Sequence, residues 1–250
     1  MLVLLPPSET KRDGGLDGTA LALRDLSFPE LLPPRRTALA ALRALSRSVS
    51  ASSAALRLSP KQRFEIDRNR AVGTSPLLPA IDRYTGVLYD ALDASTLTPP
   101  ARAFAGETLA VHSALFGPVM ATDGIPAYRL SHDSRLPSLS LRKHWAPAVS
   151  TVLAARNDLV IDLRSESYVH LGRAPESAWY VRVVSAEGGQ ALNHFNKHGK
   201  GEFARAVMEA GIDHDSVESL VEWATEAGFD LRIGTRELEL AVHNAPAVRV

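Results

Sequence analysis

Leu2-Val3-Leu4-Leu5-Pro6-Pro7-Ser8-Glu9-Thr10-Lys11 is the stretch around which the rest of the chain is organised. Four consecutive apolar residues are too few to cross a membrane but suit a strand buried on both faces. Pro6 and Pro7 stop that strand, because neither has an N–H to give a sheet ladder. The loop beyond them carries two hydroxyls, a carboxylate and an amine between Ser8 and Lys11. In open α/β sheets ligands sit just past the carboxyl ends of central strands, which is where this loop falls.

A second strand end looks similar. Asp158 to Leu163 is the clearest strand of the chain, and it runs straight into Arg164-Ser165-Glu166-Ser167-Tyr168. If the two strands are parallel neighbours, two loops bearing hydroxyls and carboxylates lie side by side. Further strands are expected over Leu109 to Phe116 and Trp179 to Ser185, with two short ones near the C-terminus, Asp230 to Ile233 and Leu238 to Val242, at a sheet edge. Helical spacing marks 35–47, 61–70 (Phe64 with Ile66 or Asp67 inward), 141–155, 194–210 and 216–227. Thr98 followed by Pro99 and Pro100 starts another helix. Leu77 to Tyr84 reads as a short strand or turn, with a break at Gly86 and a helix through Leu92. Residues 46–53 read as a small-residue turn; 12–33 and 117–140 read as long irregular loops. Strands alternating with helices give an α/β fold with a mixed sheet flanked by helices and long irregular loops, taken as one domain over residues 1–250.

Composition narrows the function. The 250 residues are 45% hydrophobic, enough for a sizeable core. Lys plus Arg and Asp plus Glu both number 28, so any nucleic-acid contact needs a local patch. The absence of cysteine removes disulfides, thiolate catalysis and cysteine-ligated metals. The N-terminal residues show no basic lead or cleavage pattern, and no run of eighteen apolar residues occurs, so a cytoplasmic protein is expected.

Chemistry concentrates in three places. Lys11 can serve as a cation for a phosphate or carboxylate, or as a base if burial lowers its pKa; a Ser8–Lys11 nucleophile pair is a weaker reading. In Asn193-His194-Phe195-Asn196-Lys197-His198-Gly199-Lys200-Gly201-Glu202-Phe203-Ala204-Arg205, a helix places Lys197, Lys200 or Gly201, and Arg205 near one face, suited to phosphate contacts. A basic first turn opposes the helix dipole, which favours an anionic partner there. Gly211-Ile212-Asp213 between two helices gives the outline of a helix-hairpin-helix element. His194 and His198 are four apart, but a solvated pair outweighs a metal site, and no metal or cofactor is expected.

These stretches resemble the YaaA family of peroxide-stress proteins. Leu4-Leu5-Pro6-Pro7-Ser8-Glu9-Thr10-Lys11 is similar to that family's "LLPPSEGK" start, Tyr84-Thr85-Gly86 to its "VYTGL", and Ser113-Ala114-Leu115-Phe116-Gly117 to its "LSGLYG". Pro126-Ala127-Tyr128-Arg129-Leu130 resembles "PYRL". Trp145, Leu163 to Tyr168, and Asn196 to Gly201 resemble "FW", "NLASxEY" and "KKARG". The resemblance spans nearly the whole chain. It implies a bacterial hydroperoxide-response protein that limits free iron and oxidative damage, with one α/β domain, a positively charged cleft, a helix-hairpin-helix-like element and DNA binding. Thr10 stands where Gly is common and His198 where a second Lys often stands, and the net charge is zero; all three weaken the DNA reading. Lys11, Arg129, Lys197 and Lys200 are the residues expected to line the cleft, with Tyr84, Thr85, Tyr128, Asn196, Gly201 and Arg205 as further ligand contacts. Two functions stay open: duplex or branched DNA binding through phosphate contacts, and an enzyme acting on a small anionic or nucleotide-like substrate through Ser8, Glu9, Lys11, Tyr128, Arg129, Ser165, Glu166 and Tyr168.

Overall fold

Leu2–Leu5 forms strand β1, and all four residues are buried because other elements cover both faces. The computed structural model describes residues 1–186 and 193–242; the Gly188-Gly189 turn signal and His243 lie outside the described residues. The other strands are β2 (Leu78–Pro79), β3 (Leu109–Ser113), β4 (Gly117–Met120), β5 (Gly124–Ile125), β6 (Val160–Asp162), β7 (Trp179–Ser185), β8 (Asp230–Ile233) and β9 (Glu237–Val242). The α-helices are α1 (Leu32–Leu45), α2 (Val49–Ala55), α3 (Phe64–Arg70), α4 (Ala80–Arg83), α5 (Val87–Leu92), α6 (Pro99–Thr108), α7 (Leu141–Ala154), α8 (Glu166–Val169), α9 (Asn193–Ala210) and α10 (Val217–Glu226).

Seven strands make one mixed sheet in the order β4-β3-β1-β6-β7-β9-β8. The inner five run parallel, while the edges β4 and β8 are antiparallel. β1 and β6 are parallel neighbours, with Leu2 opposite Val160 and Leu4 opposite Asp162. β2 and β5 pair apart as a two-stranded ribbon. α9 ends just before Gly211, whose φ of +63° favours glycine, and residues 211–216 lead to α10, the helix–link–helix outline expected there. Among the described residues no helix is long and apolar enough to cross a membrane.

Local chemistry overrides or refines the sequence reading at several points. Residues 46–53 are no simple turn: α2 starts after Ser48, whose hydroxyl accepts the Ala51 N–H at 3.3 Å, and Ser52 lies buried, donating to Leu45 O at 3.0 Å. The strand from Leu109 ends at Ser113 because the Ser113 hydroxyl accepts the N–H groups of Leu115 and Phe116 at 3.0 and 2.9 Å, closing a turn. The chain then returns as β4, so 117–140 is not irregular throughout; Pro118 is tolerated because β4 is an edge strand. In α3, Ile66 faces inward at 1% exposure while Phe64 stands half exposed, covered by the Arg68 guanidinium 4.7 Å from its ring centroid. Leu77 to Tyr84 resolves into β2 followed at once by α4.

Candidate functional site

The chain leaves β1 toward β3 on one side, whereas β6 continues toward β7 on the other. That reversal splays the loops past the carboxyl ends of β1 and β6 and opens a crevice between them. A cleft of about 980 Å³ occupies this place. Residues 6–10 wall it on the β1 side, and Leu163 with residues 165–168 on the β6 side. Tyr180 and Arg182 from β7 and the first turns of α9 close it.

Lys200 is the cation at the closed end. Its side chain lines the cleft although the residue is only 4% exposed, because Gly199 and Gly201 let α9 press against its neighbours. Its ammonium donates to Arg164 O at 3.3 Å and sits 5.2 Å from the centre of the Tyr180 ring. Burial pulls its pKa down to about 8, against the opposing pull of Asp162. Lys197 stands exposed on the rim. Among the described residues neither lysine has a carboxylate within ion-pair distance. Other cleft charges are already paired: Glu9 accepts from Arg129 at 2.6 Å, and Arg182 meets Glu237 at 2.7 Å and Glu166 at 3.5 Å.

Beneath Lys200 lies a buried polar cluster. Asp162 accepts the Arg164 Nε and Nη2 groups at 2.8 and 2.6 Å, and the Arg164 backbone N–H at 3.0 Å. Arg164 Nη1 donates to Gly172 O at 2.8 Å and to His112 Nδ1 at 2.7 Å. A guanidinium has no acceptor, so His112 Nδ1 must be unprotonated. Burial and the Arg164 charge both keep this imidazole neutral, holding its pKa well below the usual value.

Lys11 sits one layer behind the cleft rather than lining it. Its ammonium donates to Ser8 O at 3.0 Å and Glu9 O at 3.3 Å and lies 4.2 Å from the Tyr128 ring centroid and 5.2 Å from that of Tyr84. Burial, partly offset by Glu65, lowers its pKa to about 7. The Tyr84 and Tyr128 hydroxyls bond to each other at 2.8 Å, and Tyr128 bonds to Ser113 at 2.7 Å. Lys11 therefore shapes the first loop from behind, with its amine anchoring the carbonyls of the two residues that face the cleft.

Of the residues singled out in the sequence, Ser8 and Glu9 border the cleft from the first loop, and Ser165, Glu166 and Tyr168 from the second. Thr85, Asn196, Lys197 and Lys200 join them. Tyr84, Tyr128, Arg129 and Lys11 form the layer behind. Gly201 and Arg205 stand apart. Gly201 packs so tightly on α5 that a Cβ there would lie 2.2 Å from Leu88 O, and Arg205 donates to the carbonyls of Leu92 and Asp93 at 3.0 Å each, near the end of α5. The basic row read along α9 is thus divided between cleft, helix contact and helix end. Substituting Gly201→Ala is expected to cost about 2 kcal/mol of stability by overpacking, although Ala is the better helix former. Equal or higher thermal stability would refute this account of the α5–α9 contact. Sequence reasoning missed Arg182, Tyr180 and Asp162. The signal for the first two was period-2 alternation along β7, which turns both to one face. Among the described residues no group of three or more His, Asp or Glu side chains is placed to hold a metal ion; His198 instead meets Glu202 at 3.1 Å.

Comparison with known proteins places this architecture. A UPF0246 protein of Corynebacterium glutamicum (strain R) is 47% identical over 237 residues, covering 92% of this chain and 94% of that protein. A UPF0246 protein of Streptomyces coelicolor is 38% identical over 239 residues, covering 92% of each. An uncharacterised protein of Campylobacter jejuni is 26% identical over 206 residues, covering 80% of this chain and 82% of that protein. The family model described as "Peroxide stress protein YaaA" matches residues 1–232, from β1 into β8; the chain belongs to the peroxide stress protein YaaA family.

Proposed function

We propose that the cleft past β1 and β6 binds a small anionic, nucleotide-like ligand and acts on it as an enzyme within the peroxide stress response. The observation that carries this reading is Lys200, an amine almost wholly buried yet bordering a cleft of this size, with no carboxylate partner among the described residues. Holding a cation out of water is costly unless something compensates, and a ligand anion would supply the missing charge. With a pKa of about 8, Lys200 can both hold an anion and exchange a proton near neutral pH. Glu166, Ser165 and Tyr180 border the same space.

Isothermal titration with adenosine 5′-monophosphate tests the reading. Lys200→Met is expected to weaken binding at least tenfold at pH 7. In the wild type the ammonium form prevails below about pH 8, so affinity is expected to be full near pH 7 and to fall up to about tenfold per unit above pH 8. Lys200→Met should remove that pH dependence. Binding that ignores both changes would sink the proposal.

Lys197 on the rim supports a second reading, contact with DNA phosphates. It predicts salt-sensitive duplex binding that falls in Lys197→Ala, whereas the small-ligand reading predicts that Lys200→Met is the more damaging change. Direct handling of iron is a separate proposal, addressed by metal analysis of the purified protein.

A further inference from the structure

A second hollow, about 450 Å³, shares Glu166, Tyr180 and Arg182 with the cleft. The two bays therefore adjoin, with residues of β7 and the start of α8 as their shared boundary. The second bay has its own basic groups: Arg173 from the turn after α8, Arg236 from the turn before β9, and His170. Its carboxylates are occupied, since Asp162 is held by Arg164 and Glu166 reaches Arg182. Among the described residues Arg173 and Arg236 have neither an ion pair nor a hydrogen-bond partner. Two guanidinium groups that border one concave surface whose carboxylates are already paired with other arginines raise the potential there and suit a phosphate or carboxylate, which a guanidinium grips with two parallel N–H groups.

Between the bays stands a flat, partly apolar divider. Tyr180 and Arg182 are two residues apart on β7 and share a face, and the Arg182 guanidinium carbon lies 5.7 Å from the Tyr180 ring centroid. On the cleft side Lys200 approaches the same ring. One aromatic ring thus adjoins both an unpaired lysine and a bay holding two unpaired arginines.

We propose that the second bay is an anion subsite of the same ligand, which carries two anionic groups: one held by Lys197 and Lys200, the other by Arg173 and Arg236, with its middle crossing Tyr180. A nucleoside bisphosphate has this form. The proposal rests on the cleft reading above and adds a second point of attachment.

Titration calorimetry with a matched pair of probes, adenosine 5′-monophosphate and adenosine 3′,5′-bisphosphate, separates the two claims. The wild type is expected to bind the bisphosphate at least tenfold more tightly. Arg173→Ala/Arg236→Ala should abolish that preference and leave the monophosphate affinity unchanged. Lys197→Ala/Lys200→Met should weaken both. Arg43→Ala/Arg47→Ala, which removes one exposed arginine in the last turn of α1 and one just after it, controls for net charge and should retain the preference. Equal affinities in the wild type, or a preference that survives loss of Arg173 and Arg236, overturn the second subsite while the cleft reading stands. A monophosphate that does not bind, or binds regardless of Lys197 and Lys200, overturns the cleft reading and this proposal with it.

Discussion

Asp162→Asn is expected to destabilise the protein by about 3–5 kcal/mol, the cost of leaving a buried guanidinium without its counter-charge. Arg164 is fully buried and Asp162 is 3% exposed, so little water reaches the pair to soften the loss. Both carboxylate oxygens receive N–H groups from Arg164, and the Asn amide would present donors to donors on one side. Urea unfolding at neutral pH measures the effect. The double variant Asp162→Asn/Arg164→Met, which removes the orphaned charge, should recover part of the loss even though Gly172 O and His112 forfeit a donor. A single variant within about 1 kcal/mol of wild type would show that the cluster does not hold the end of β6. The same change has a second readout. Asp162 is the group that most raises the Lys200 pKa, so without it the ammonium form should be lost at lower pH. The pH above which adenosine 5′-monophosphate affinity falls should move down with it.

Buried strands at both segments were legible because two apolar runs each ended in a polar loop; that they pair as parallel neighbours was posed only as a condition, which the sheet meets. The cleft loops followed directly from that placement. The role of α9 was not legible. Helical spacing places Lys197, Lys200 and Arg205 around an axis but does not say which faces are covered, and that depends on α5, more than a hundred residues earlier. Gly199 and Gly201 look like points of backbone exposure in the sequence; in the fold they admit Val242 and Leu88 at close range. Phe64 and Ile66 show the same limit on a smaller scale, since either could face inward until Arg68 covers the phenyl ring. The Asp162–Arg164 pair did leave a trace: two charges two residues apart at the end of an apolar strand turn to one side of it. Nothing local pointed to the second bay, because Arg173, Arg182 and Arg236 come from three separate segments.

Lys11→Met is expected to change how stability depends on pH. The Lys11 pKa falls from 10.5 to about 7 on folding, chiefly through burial. Between those values the unfolded chain holds a proton that the native amine has released, so wild-type stability rises with pH across this range at about 1.4 kcal/mol per unit. Below about pH 7 both states are charged and the full cost of burying the ammonium is present. Met has similar reach and no charge; it gives up the bonds to Ser8 O and Glu9 O at every pH but does not titrate. The stability difference between wild type and variant should therefore move in favour of the wild type by about 2 kcal/mol from pH 7 to pH 9, because the native amine is still half protonated at pH 7, and Lys200 and the tyrosines cancel because both proteins carry them. Denaturant unfolding of the two proteins at pH 7, 8 and 9 reads the difference directly. Parallel pH courses would mean that the amine keeps its ordinary pKa, and that the carbonyls of Ser8 and Glu9 together with the rings of Tyr84 and Tyr128 stabilise the ammonium as well as water does.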